Sequence, residues 1–174
     1  MVRKSAKIQT EHLLLKPYED SDLEDMVFLL CNDEIKKTFM IPDFAATEDA
    51  VKMFYRLKDL SYSDEHFEYG VYLEERLIGF INDVEIDGDT IELGYVIRPD
   101  MKGRGYATEV LSAAIKELFR IGYKAVRAGL FEENTASRRV MEKCGMSRID
   151  KTDDIEYRGK NHHCIYFEKK SKLE

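Results

Sequence analysis

The chain has 174 residues, 44% hydrophobic and 35% charged, with only 10 Gly and 3 Pro, which excludes collagen-like, linker-rich and low-complexity classes; a domain of this length buries roughly 70% of its unfolded surface and can hold a core without disulfides or metal. The net charge of −7 disfavours a nonspecific grip on nucleic acid and suits cationic partners better. The longest unbroken apolar run, residues 26–31, is far short of the roughly 20 needed to span a membrane.

Near the amino end, Arg3, Lys4 and Lys7 are followed by no apolar segment, so no secretory leader is expected and the expected compartment is the cytoplasm. Cys31, Cys144 and Cys164 are odd in number and far apart, which fits free thiols in a reducing compartment. Neither repeat nor linker breaks the chain, so residues 1–174 are expected to form a single domain with its core at about 8–168.

Residues 12–16 (HLLLK) read as a short strand ended by Pro17. Ser21 with Glu24 then has the spacing of a capping box, ahead of Leu23, Met26, Val27 and Leu30 at helical intervals. Residues 32–46 read as a loop, and a second helix is expected after Thr47 as N-cap, with Ala50, Val51, Phe54 and Leu57 inward. From Phe67 the period changes to that of strands, at 67–73, 77–86 and 90–97, with Asp87-Gly88-Asp89 marking a hairpin. Helical spacing returns cleanly in Ala107, Val110, Leu111, Ala114, Ile115 and Leu118, with Gly122 placed to end the helix. A strand at 125–130, a helix at 135–144 closed by Gly145, and strands at 147–155 and 162–168 complete the order βααβββαβαββ. That is a mixed α/β (α+β) class with helices on both faces of a central, mostly antiparallel sheet.

The segment RPDMKGRGYATE (98–109) joins the end of a strand to a long helix through a glycine-bearing turn. Unpaired N–H groups and the positive end of the helix dipole bind phosphate there, and Lys102 and Arg104 add charge. A plain connecting turn that uses Gly for positive φ is the alternative. The Walker pattern is absent, and Gly103 and Gly105 put Thr108 where a dinucleotide fold needs Gly or Ala.

Four segments together resemble the GNAT acetyltransferases, and within them the branch of the ribosomal-protein N-terminal acetyltransferases: TEHLLLKP (10–17), ELGYVIRP (92–99), KGRGYATE (102–109) and ENTASRRVMEKCGM (133–146). The resemblance implies a GNAT-like sheet splayed between its fourth and fifth strands and acetyl-CoA as co-substrate. In it, Lys102, Gly103, Arg104, Gly105, Tyr106, Ala107 and Thr108 would cradle the pyrophosphate, while the backbones of Tyr95, Val96 and Ile97 pair with the pantetheine arm. Lys102 departs from the family's Gln or Arg, keeping the charge but losing a flat multi-donor head. Asn134 resembles the family asparagine that bonds the cofactor, and it also suits a helix N-cap.

Met141 stands where many members carry a catalytic tyrosine. The resembled branch has a serine three residues after the asparagine, so Ser137 is the candidate acid for the departing thiolate; its other reading is a first-turn helical residue. Glu92, on the strand flanking the gap and pointing away from Ile91 and Leu93, is the candidate base, or else a solvated glutamate. His162, His163 and Cys164 alternate faces without a second ligand pair, so no metal is expected. Cys144 reads as packing, and the acidic residues Asp150, Asp153, Asp154 and Glu156 as a solvated face or an attractor of amines. The resemblance implies direct transfer of an acetyl group to a primary amine, either a protein or peptide N-terminus or a small amine. Residues 32–46 and the last hairpin would shape the acceptor site. The rival expectation, kept open by Met141, is a CoA-binding regulatory module without turnover. Monomer and homodimer remain equally open.

Overall fold

Strand residues of alternating apolarity have two faces to bury, and here each face is covered by a different set of helices. The computed structural model describes residues 3–172. Its strands are β1 (Ile8–Gln9), β2 (Leu13–Lys16), β3 (Glu68–Leu73), β4 (Arg76–Asp87), β5 (Thr90–Ile97), β6 (Ala125–Phe131), β7 (Ser147–Tyr157) and β8 (Lys160–Lys170). They form one sheet in the order β1-β2-β3-β4-β5-β6-β8-β7. Every neighbouring pair is antiparallel except β5 with β6, which run parallel. The helices are α1 (Leu23–Leu30), α2 (Asp33–Lys36), α3 (Thr47–Tyr62), α4 (Tyr106–Ile121) and α5 (Thr135–Lys143).

On one face, Leu13, Leu15, Tyr69, Ile81, Leu93 and Val126 pack with Val110, Leu111, Ala114 and Leu118 of α4 and Met141 of α5. On the other, Tyr72, Leu77, Phe80 and Val96 pack with Met26, Leu29 and Leu30 of α1 and Phe54 of α3. Each large aliphatic side chain buried in this way contributes about 1.5–3 kcal/mol before entropy is counted. The stripe on α4 predicted from spacing is therefore the one that meets the sheet.

The helix ends and short elements depart from the sequence reading. The capping box is not Ser21 with Glu24: the backbone N–H of Glu19 donates to the Asp22 carboxylate at 2.7 Å, because the chain first makes a 3-10 turn at Asp20–Asp22. Thr47 is the first residue of α3 and Ala46 its N-cap. The segment 32–46 is not all loop; the Asn32 side chain accepts from Ile35 N–H at 3.1 Å and nucleates the single turn of α2. A two-residue β1 pairs with β2 ahead of the predicted first strand, and the final hairpin is longer at both its inner ends.

A buried polar chain holds the amino-terminal end of β3. Glu68 is 2% exposed, and the Tyr18 hydroxyl donates to it at 2.5 Å. Lys4 lies nearby, donating to the carbonyl oxygens of Ser61 at 3.2 Å and His66 at 2.6 Å. Burial pushes the Glu68 carboxyl up to about 8, with Asp83 adding to the rise, against the opposing pull of the Tyr18 hydrogen bond and Lys4. The folded state therefore holds a proton that the unfolded state has released above about 4.5. This group's contribution to stability is present below about pH 4.5 and declines as pH rises toward 8. Urea melts of the wild type between pH 5 and 8 are expected to show this decline, and Glu68→Gln to flatten it.

Candidate active site

The parallel contact between β5 and β6 ends early. Residues 90–93 pair with 125–128; beyond them residues 94–97 stay with β4 and 129–131 with β8. The two strands separate, and a cleft of about 400 Å³ opens between them. Backbone groups of β5 facing the gap lack a neighbouring strand, which leaves them available to an extended ligand lying in its place.

At one end the cleft meets the turn between β5 and α4. Arg98 anchors the start of this turn: its Nε donates to Asp100 at 3.0 Å and its guanidinium lies 4.2 Å from the centre of the Phe28 ring. Gly105, the N-cap of α4, has φ +81°, a left-handed conformation that a side chain strains, and a Cβ built there meets nothing within 4 Å. The first bond within the helix runs from Glu109 N–H to Gly105 O at 3.1 Å, so the N–H groups before it have no acceptor inside the helix. Glu109 in turn fixes this end of α4 to the β1–β2 turn, accepting from the His12 backbone N–H at 2.7 Å and from the Thr10 hydroxyl.

Lys102, Gly103, Gly105, Tyr106, Ala107 and Thr108 line the cleft, as do Tyr95, Val96, Ile97, Asn134 and Ser137. Arg104, on the same turn, is exposed and stands outside the lining. Arg139 and Lys143, four residues apart on α5, also face the cleft. With Lys102 they make it locally basic, and no acidic side chain lines it among the described residues. A protein of net charge −7 thus carries a cationic cleft whose walls suit a polyanion with an apolar arm.

Asn134 caps α5, its side-chain oxygen accepting from Ser137 N–H at 3.2 Å. That bond fixes the first turn of α5 and holds Ser137 at the cleft wall. The Ser137 Oγ lies 2.7 Å from the hydroxyl of Tyr95, whose phenol burial pushes up against the opposing effect of the Ser137 bond. Met141 is 1% exposed and belongs to the core beneath α5; it does not face the cleft. Cys144 is buried, its Sγ directed at Thr108 O at 3.4 Å and its thiol pushed up by burial, so packing is its role here.

Glu92 lies outside the cleft lining, on the sheet face turned away from α4. Its side chain is 13% exposed, with Lys151 Nζ 3.8 Å away. Burial raises its carboxyl, against the attraction of Lys151. On that face Phe39 packs over Gly94, where an added Cβ would stand 2.9 Å from its ring. The β7–β8 hairpin closes over the same region: the single proton of the Tyr157 hydroxyl is shared between the carbonyl oxygens of Phe39 at 3.3 Å and Ile41 at 3.2 Å. Arg158 reaches Asp43 and Asp33 at 3.2 and 3.3 Å. Of the acidic residues, Asp153 accepts from the Tyr166 hydroxyl at 2.7 Å and Asp154 faces His163 at 2.9 Å; Asp150 and Glu156 are exposed. His162 stacks on Phe131 with ring centres 4.1 Å apart.

The sequence reading missed the side chain of Tyr95, and it missed Arg139 and Lys143. The latter pair was legible in helical spacing counted from the Asn134 cap. The contact of Tyr95 with Ser137 joins positions 42 residues apart and left no local signal.

A family model described as the acetyltransferase (GNAT) domain matches residues 12–147. The uncharacterized N-acetyltransferase YnaD of Bacillus subtilis is 31% identical over 143 residues, covering 81% of this chain and 82% of that protein. A GNAT-family acetyltransferase from Bacillus anthracis, of known crystal structure, is 26% identical, with a TM-score of 0.80 over 94% of this chain and 98% of that one. The structure described as RimL, a ribosomal L7/L12 α-N-protein acetyltransferase in complex with coenzyme A, has a TM-score of 0.85 at 16% identity, over 97% of this chain and 99% of that one. The splayed eight-stranded sheet, the glycine turn ahead of α4 and this match across most of the chain make the protein a member of the GNAT acetyltransferase family.

Proposed function

We propose that this acetyltransferase takes its acetyl group from acetyl-CoA and transfers it directly to a primary amine, either a peptide or protein N-terminus or a small amine. The observation that carries the reading is the basic cleft running from the left-handed turn at Gly103 and Gly105 into the gap between β5 and β6. In this reading the N–H groups before Glu109 take the pyrophosphate, as helix amino-termini do. Lys102, Arg139 and Lys143 neutralise the remaining phosphate charge, and the free edge of β5 at 95–97 pairs with the amide-bearing arm. The comparison proteins whose descriptions include coenzyme A or acetyl-CoA have the same fold, which supports the assignment.

For the chemistry, the attacking amine must be neutral and the sulfur must leave without full charge. Glu92, partly buried at the edge of the gap, takes the amine's proton directly or through water. The Ser137 hydroxyl faces the leaving sulfur from the opposite side and donates a hydrogen bond as charge grows there. A CoA-binding module without turnover has no observation in its favour, because Met141 faces the core while two hydroxyls occupy the cleft wall.

Acetyl-CoA titrated by calorimetry tests the cleft. Gly105→Val is expected to weaken binding more than tenfold, since it strains the left-handed turn and puts a side chain in the phosphate path; unchanged affinity in a folded variant would refute the assignment. Lys102→Ala is expected to cost a few-fold to about tenfold, one exposed charge at most.

Ser137→Ala is expected to lower kcat about 10²-fold, the small end of general-acid effects, with acetyl-CoA affinity largely kept. Thiol release followed with a panel of amines and peptides gives the kcat.

The same assay addresses the acceptor. An α-amine, near pKa 8, offers far more neutral amine at pH 7 than a free lysine side chain near 10. A peptide with a free N-terminus is therefore expected to show the higher kcat/KM than its N-terminally blocked, lysine-bearing counterpart, and the reverse order would overturn the N-terminal preference. Added salt should raise KM for cationic acceptors.

A further inference from the structure

Lys151 is the amine that stands against Glu92. It sits on β7 where the pairing with β8 shifts register between Arg148 and Thr152. Its Nζ is 3.8 Å from Glu92 and 4.0 Å from Glu85 and stands 4.4 Å from the centre of the Tyr166 ring. Two of these neighbours, Glu92 and Tyr166, border the splay. Glu92 precedes Leu93, the last residue of β5 to pair with β6. The Tyr166 ring lies against Gly129, the cleft-lining residue just past the end of that pairing: a Cβ added to Gly129 would stand 2.8 Å from the ring.

The ring is itself held by its hydroxyl bond to Asp153. Two carboxylates and an aromatic face thus hold an ammonium of this chain beside the residue assigned as base, where β5 and β6 begin to part. The charged groups around it are Glu85, Glu92 and Asp153, and a second cation, Arg127, which pairs across from Glu92 on β6, between Glu92 and the strands β8 and β7.

We propose that Lys151 is a modification site: the acetyl group of acetyl-CoA bound in the cleft passes to its Nζ within the same molecule. The proposal rests on the acetyl-CoA reading above and adds an acceptor that the chain carries itself. The ammonium gives one proton to Glu92. The neutral amine attacks the thioester carbonyl carbon, the C–N bond forms and the C–S bond breaks. The nitrogen's second proton passes to the departing sulfur on collapse, so CoA leaves as the thiol, and Glu92 returns its proton to water. A free lysine is a poor acceptor at neutral pH because little of it is neutral, but an amine fixed in the same molecule reacts at a high effective concentration. Acetylation would remove the positive charge between Glu85 and Glu92 and end the pairing.

The test incubates the full chain with acetyl-CoA alone and follows it by intact mass and tryptic mapping, in which acetylation abolishes cleavage after Lys151. The expected result is one acetyl group, at Lys151, appearing at a rate unchanged by diluting the protein. It should be blocked by desulfo-CoA, absent in Lys151→Arg, and slowed about 10²-fold in Glu92→Gln. Acetyl-CoA binding is measured in parallel by calorimetry. Binding without acetylation at Lys151 overturns this proposal alone, as does acetylation spread evenly over exposed lysines such as Lys37 and Lys160, or a rate proportional to protein concentration. Absence of acetyl-CoA binding overturns the cofactor reading and this proposal with it.

Discussion

The loss of pairing between β5 and β6 after Leu93 and Ala128 is the constraint on which the rest of the molecule turns. A sheet edge opened in its middle would ordinarily leave backbone groups without partners, at a cost comparable to lost hydrogen bonds. The fold confines that exposure to one gap by keeping β5 tied to β4 and β6 tied to β8 through the same residues. Two helices, α4 and α5, then form the walls. Their packing on the sheet through Leu111, Ala114 and Met141 holds those walls in place from beneath, with these side chains outside the cleft lining.

Charge is arranged on the same plan. Acidic residues dominate the composition, yet the cleft between α4 and α5 has only basic titratable side chains besides tyrosine among its described lining. On the other face of the sheet, Glu85, Glu92 and Asp153 stand with Lys151 and Arg127 among them.

Much of this was legible in residue order. The α4 stripe needs no tertiary information, since spacing of three and four defines a face. The glycine turn was legible because left-handed backbone at a helix start leaves few alternatives to glycine. What could not be read is what depends on distant partners. Tyr95 is assigned by its place on β5 to the edge of the gap, but period-2 alternation says nothing of the α5 hydroxyl it meets. The capping box was misplaced by two positions, Glu19 with Asp22 standing in place of Ser21 with Glu24, because the chain makes a 3-10 turn first. The short α2 was missed since four residues carry no period, and only the Asn32 cap announces it.

The Tyr157 hydroxyl, bonded to the carbonyl oxygens of Phe39 and Ile41 and accepting from Ile41 N–H at 3.3 Å, joins two stretches of chain more than a hundred residues apart. Neither the tip of the last hairpin nor the segment after α2 can lift alone without stranding polar groups that the other satisfies. The two are therefore tied as a single latch, and insertions in either stretch would be felt by the other. In the acetyl-transfer reading proposed above, substrate range would depend on the joint length of the two loops, a property that no single position records.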